Sequence, residues 1–182
     1  MTERIRWTRL DVPGEEVAEL VQTAHGWQLE GEANFEHEGG RADLSYDIRC
    51  DTDWTTEIAT VSCSVGNRSI DIELLRNHAG EWALNGSKVW EATGCDDVDL
   101  NFSPSTNMLP IRRLNLSIGQ RAQVRAAWLR FPSFILEPFE QTYTRTAEDR
   151  YIYESAGGKF RRELTVTPAG FVLEYPGIWR AD

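Results

Sequence analysis

The sequence predicts a mainly β protein, all-β in class, whose strands form one antiparallel sheet, and three observations carry that prediction. Apolar and polar side chains alternate with a period of two over long stretches, turn residues recur about every ten to twelve positions, and no long segment has the 3.6-residue period of an amphipathic helix. About ten strands are expected. A twisted sheet of about ten strands curls or closes, which gives it a concave face.

Taken along the chain, Glu15–Ala24 is the first element, and it is the one place where helix competes with strand. Ala18, Leu20, Gln22 and Ala24 alternate and Gly26 leads straight into the next element, so a strand is expected. From Trp27 to Phe35 every odd position is apolar or small and every even one polar, and Ala42–Cys50 alternates in the same way. The glycines of "HEGGR" supply the turn between them. Thr55–Val65, Ser69–Leu75 and a short strand around Trp82 follow, separated by "GNR" and "NHAGE". In the second half, strands are expected over Leu114–Ile118, Gln123–Phe131, Leu136–Thr146, Arg150–Glu154, Phe160–Val166 and Phe171–Tyr175. No linker or composition break divides the chain, so residues 1–182 read as a single domain.

The stretch "DVDLNFSPSTNMLPIRRL", Asp97–Leu114, breaks this regularity. Extended backbone over 97–102 would turn Asp97 and Asp99 to one face and Val98, Leu100 and Phe102 to the other. Ser103 before Pro104 suits the start of a single helical turn over 104–109, with Pro110 expected to end it. In the strand expected next, Arg112 would share the apolar face of Leu114, Leu116 and Ile118, with Arg113 on the opposite side. An unpaired charge there is costly, so Arg112 is expected either to be clamped by Asp97 or Asp99 or to meet an anionic or polar headgroup. Arg113 is expected to tolerate substitution.

Composition narrows the function classes. The net charge of −10 argues against general nucleic-acid binding. It is uneven: residues 1–100 carry 8 basic and 21 acidic side chains, and residues 101–182 carry 11 and 8, which is read as an acidic outer face of the sheet or a dipole that orients a partner. No apolar run approaches a membrane span, so an integral membrane protein is not expected. The N-terminus shows no apolar leader, which sets a cytoplasmic expectation. Cys50, Cys63 and Cys95 are odd in number with no C-x-x-C pair, and three free thiols are expected. His25, His37 and His78 form no metal-ligand spacing, and nucleophile-elbow, zincin, phosphate-loop and dinucleotide fingerprints are absent, so neither metal nor cofactor is expected and no catalytic residue is assigned. The seven tryptophans read mainly as core, with a minority available to line a cavity or stack on sugar rings.

The segments "GCDDVDL", "SPSTNMLPIRRL", "EQTYTR", "YIYES" and "FVLEYPGIWR" together resemble the bacterial glycolipid-binding family, and "LSYDIRCDTDWTT" and "GEWALNG" resemble its earlier strands. The resemblance spans nearly the whole chain. It implies an antiparallel sheet rolled into an open spiral half-barrel with a few short helices, similar in shape to the lipoprotein carriers LolA and LolB. The positions that match the family pattern here are Asp97, Asp99, Pro104, Thr106, Asn107, Leu109, Pro110, Arg112 and Arg113, with Gln141, Tyr143, Tyr175 and Pro176 downstream. The expected partner is an amphiphilic small molecule such as a glycolipid. Its tail would lie on the concave apolar face, and its headgroup would meet Asp97, Asp99, Asn107, Arg112, Arg113, Tyr143 and Tyr175. Two other classes stay open: a hydrolase using Asp97 or Asp99, and an interaction module that recruits a partner strand at a sheet edge.

Overall fold

The computed structural model describes residues 2–38 and 40–182. It contains fifteen strands: β1 Thr2–Arg9, β2 Gly14–Gln22, β3 Trp27–His37, β4 Gly40–Cys50, β5 Thr56–Val65, β6 Arg68–Arg76, β7 Trp82–Leu84, β8 Ser87–Val89, β9 Asp97–Leu100, β10 Arg121–Arg130, β11 Ile135–Ala147, β12 Arg150–Ser155, β13 Phe160–Val166, β14 Val172–Tyr175 and β15 Trp179–Ala181. One α-helix, α1 Met108–Leu114, and three 3-10 turns complete the fold. The strands form one open sheet in the order β8-β7-β6-β5-β4-β3-β2-β1-β15-β14-β13-β12-β11-β10-β9, so the two chain ends pair in its middle. Among the described residues no helix is long and apolar enough to cross a membrane.

The period-two pattern becomes a set of inward rows. Leu20 faces Leu29, Leu29 faces Ile48, Ile48 faces Ala59, and Ala59 faces Leu74, all of them buried. In the next row Ala18, Gly31, Tyr46, Val61 and Ile72 stand in register. Gly31 is required there, because a Cβ would lie 2.3 Å from the Tyr46 hydroxyl, whose ring crosses over it. The contest over Glu15–Ala24 resolves as strand β2. The thiols of Cys50 and Cys63 do not face each other: Cys50 pairs with Thr56 and Cys63 with Leu44, and all three cysteines are free and buried.

Three expectations are corrected. The sheet is mixed, because β9 runs parallel to β10. A parallel neighbour needs a crossover, and residues 101–120 supply it. Within that crossover no strand forms over Leu114–Ile118, and Pro110 does not end the helical turn. A 3-10 turn at Ser105–Asn107 runs into α1, where Pro110 lies in the first turn, whose N–H groups lack intrahelical partners in any case. The helix stops at Asn115, which takes the left-handed conformation (φ 42°) and donates its N–H to the Ile111 carbonyl.

The core has two parts, and α1 is wedged between them. Met108 and Leu109 join Trp7, Leu29, Ile48, Leu74, Phe102 and Leu129 in the larger one. Ile111 joins Val124, Tyr143, Tyr151, Tyr153 and Leu164 in the smaller. The apolar inner face of the early strands is therefore covered by the chain's own crossover and is not left bare for a ligand tail, as had been expected.

Candidate functional site

The face of β9–β12 that carries Asp97 and Asp99 gathers six of the seven expected headgroup residues. Asp97 pairs with Ala126 and Asp99 with Trp128 on β10, which places all four side chains on one side. On β11 the same side carries Phe139, Gln141 and Tyr143, and on β12 Tyr153 and Ser155. Ala126 stands between β9 and β11 on this face, and its small side chain lets Gln141 reach across to Asp99.

Arg113 is the partner of Asp97, not Arg112. Its Nη2 lies 2.6 Å from Asp97 Oδ2 and its Nε 3.0 Å from Oδ1, a two-pronged pair around a carboxylate only 1% exposed. Burial pushes the Asp97 carboxyl up, against the downward pull of Arg113. Arg113 also reaches Asp96 at 3.6 Å, and Arg76 holds the other oxygen of Asp96 at 3.1 Å. The register that put Arg112 inside assumed a strand. On a helix, consecutive residues diverge by about 100°, and the side chain aimed at β9 is Arg113. Arg112 turns away, donates from Nη1 to the Pro168 carbonyl at 3.2 Å, and packs 4.9 Å above the Trp54 ring.

Asp99 heads a hydrogen-bond chain. The Gln141 amide donates to Asp99 Oδ2, the Tyr143 hydroxyl lies 3.4 Å from Gln141 Oε1, and the Asn107 amide donates to that hydroxyl at 2.9 Å. Burial raises the Asp99 carboxyl to about 6, with Asp97 adding to the rise and Gln141 opposing it. Burial likewise pushes the phenols of Tyr143, Tyr153 and Tyr175 upward, so they stay protonated donors. Tyr153 meets Tyr143 edge-on at 5.3 Å and Tyr175 at 6.0 Å, and Phe160 closes the group. Asp99, Asn107 and Tyr175 keep partial exposure. Beside Asp99, Trp128 stacks on Phe139 with ring centroids 4.5 Å apart and planes 19° from parallel, both side chains half-buried. A carboxylate acceptor, amide and phenol groups and an aromatic platform thus share one partly open surface. Such a set can hydrogen-bond hydroxyls while a ring stacks on the aromatic face.

Gln141 belongs to the family pattern but was not among the expected site residues; Trp128 and Tyr153 were read only as general aromatic wall, and Phe139 was missed. The signal was the alternation itself: Phe139, Gln141 and Tyr143 are two apart on one strand. Glu16 was missed for the same reason, since it continues the inward alternation of Ala18 and Leu20. It is 0% exposed, and its Oε1 lies 2.7 Å from the Tyr46 hydroxyl and 2.5 Å from Ser103 Oγ. Tyr46 also meets Ser105 at 2.7 Å, so this cluster pins the crossover to β2 and β4. Burial raises the Glu16 carboxyl to about 8, which keeps it neutral at pH 7.

Two comparisons place the chain. It is similar to a DUF1089-family protein from Pseudomonas aeruginosa whose crystal structure superposes with a TM-score of 0.82 at 32% identity, over 92% of this chain and 91% of that one. No curated protein matches it. Residues 4–181 match the profile of one family, and on that match the chain belongs to the family described as "Putative glycolipid-binding".

Proposed function

We propose that this protein is a non-enzymatic binder or carrier of an amphiphile with a sugar-bearing headgroup. The observation that carries the reading is the half-open Asp99 beside the stacked Trp128–Phe139 pair. The carboxylate accepts from sugar hydroxyls, the indole takes the apolar face of the ring, and Asn107 and Tyr175 complete the polar side, with the buried Gln141 holding Asp99 from behind. Asp97 and Arg113 act behind this surface by fixing β9 to α1.

The tail has a separate place. At the far end of the β10–β11 hairpin, Phe131 and Phe134 face Val65 and Ile70 across an open cleft of about 1070 Å³. Ile135, 55% exposed, adds an apolar side chain to the Trp128 face at the same end of the hairpin. The family description supports the ligand class.

The alternatives draw less support. A hydrolase needs two available acids, and Asp97 is buried under Arg113. Strand recruitment needs a bare edge, yet the outward N–H groups of Val98 and Leu100 on β9 donate to the hydroxyls of Thr56 and Thr106. Native mass spectrometry of protein purified from its own host tests the reading. A co-purified glycolipid is expected at one per chain, retained less by Trp128→Ala. Recovery of only unglycosylated lipid, held equally by the variant, would count against it.

A further inference from the structure

Arg112 lines a second cleft, on the side of α1 away from Asp97. The cleft has a volume of about 500 Å³, and Trp54, Arg112, Arg145, Glu148, Asp149 and Tyr151 are among its walls. The ion pairs of α1 among the described residues belong to Arg113. Arg112 has its plane fixed by the Trp54 ring and its Nη1 by the Pro168 carbonyl, which leaves the Nε–Nη2 edge of the guanidinium without a protein partner among the described residues. That edge is the one that binds phosphate or carboxylate oxygens in pairs.

The surroundings are shaped for this side chain. Gly170 sits at φ +100°, and a Cβ there would lie 3.3 Å from Arg112 Cδ. Trp54 adopts φ 71°, a left-handed conformation that a bulky residue rarely takes. It is held by its N–H bond to the Asp51 carbonyl (3.2 Å) and by stacking on Trp27 at 4.3 Å. Arg145 adds a second positive charge, but its donors go to the carbonyls of Leu116, Ala147 and Glu148, so it supplies field and not hydrogen bonds. The carboxylates of Glu148 and Asp149 on the rim are exposed and can accept from hydroxyls.

We propose that this cleft binds a phosphorylated polyol. The phosphate takes the free edge of Arg112, the hydroxyls meet Glu148 and Asp149, and the carbon chain lies along Trp54 and Tyr151. The shared chemistry is a phosphate ester next to hydroxyl groups, whether on a free sugar or glycerol phosphate or on a glycerophospholipid headgroup. The site is separate from the Asp99 surface and does not depend on the sugar reading given to it.

Isothermal titration of the full chain with glycerol 3-phosphate, inorganic phosphate and glycerol tests the proposal. Glycerol 3-phosphate is expected to bind one per chain and more tightly than phosphate, with glycerol not binding. Arg112→Met is expected to weaken it by about tenfold or more, the loss of one charge-assisted bidentate pair. Arg112→Lys, which keeps charge and most of the packing but loses the fork, is expected to fall between, and it decides the matter if the Met variant does not fold. Arg4→Met on the exposed end of β1 is the charge-matched control and should bind as wild type, as should Trp128→Ala. Sedimentation with phosphatidylglycerol against phosphatidylcholine vesicles separates the sources. Vesicle binding competed by glycerol 3-phosphate assigns a lipid headgroup, and titration heat without vesicle binding assigns a free phosphate ester. No heat with wild type, equal affinity in both Arg112 variants, or an equal loss in Arg4→Met overturns the proposal.

Discussion

Arg112 and Arg113 are neighbours in sequence, and α1 turns them to opposite tasks. Arg113 neutralises a buried carboxylate, so Arg113→Met leaves Asp97 desolvated and alone, at a cost of about 3–5 kcal/mol. Arg112 loses a bond to one carbonyl and a ring contact, and Arg112→Met should cost about 1 kcal/mol. Urea unfolding of the two variants checks the order, and a larger loss at Arg112 would restore the strand register. Glu16 gives a second residue-level prediction. Its folded pKa of about 8 stands above the ordinary 4.5, so its stabilising contribution is complete below about pH 4.5 and is lost as pH rises through 8. Glu16→Gln should flatten the fall in melting temperature across that window; an unchanged slope would move the pH sensitivity elsewhere.

At the scale of elements, what could be read from sequence follows how local each cause is. Strands β3, β4 and β5 were legible because alternation is imposed residue by residue on a sheet with one buried face. The helix α1 was not legible, because in seven residues "MLPIRRL" offers less than two turns of pattern, and Pro110 reads as a breaker until its place in the first turn is known. The parallel pairing of β9 was also hidden, since it is decided by where the crossover lands and not by the four residues of the strand. Strand β1 was missed, with Ile5 and Trp7 set among charged neighbours, and so were β8 and β15, each only three residues long. The site itself was half visible: Asp97, Asp99, Asn107, Arg113, Tyr143 and Tyr175 do converge, but which arginine meets which acid depended on the helix. Gly31 tests the element-level account. Gly31→Ala would drive a Cβ into the Tyr46 hydroxyl and to 2.8 Å from the Val17 carbonyl, and should cost about 1–3 kcal/mol in denaturant unfolding. A silent substitution would mean that the Tyr46 ring is free to leave the Glu16 cluster.

For the whole molecule, the open sheet does not imply an open cavity. The crossover fills the inner face with Phe102, Met108 and Leu109, and Glu16, Tyr46, Ser103 and Ser105 tie it down. The surfaces proposed for ligands accordingly lie outside that filled face, at the Asp99 platform, the hairpin-end cleft and the Arg112 cleft. The charge imbalance follows the same division: Glu19, Glu30 and Asp47 stand directly opposite one another on the outward side of β2–β4, so the acidic excess of the first hundred residues marks an outer face. The central claim is that Asp99 and Trp128 together receive a sugar headgroup. Its most direct test is titration of a short-chain glycolipid, below its micelle concentration, into wild type, Asp99→Asn and Trp128→Ala at pH 5 and pH 7.5. With the Asp99 carboxyl near 6, wild-type affinity should rise between the two pH values as the carboxylate forms. Asp99→Asn should lose that rise, and Trp128→Ala should bind about tenfold more weakly at both. Equal affinity for all three proteins, with no dependence on pH, would contradict the account.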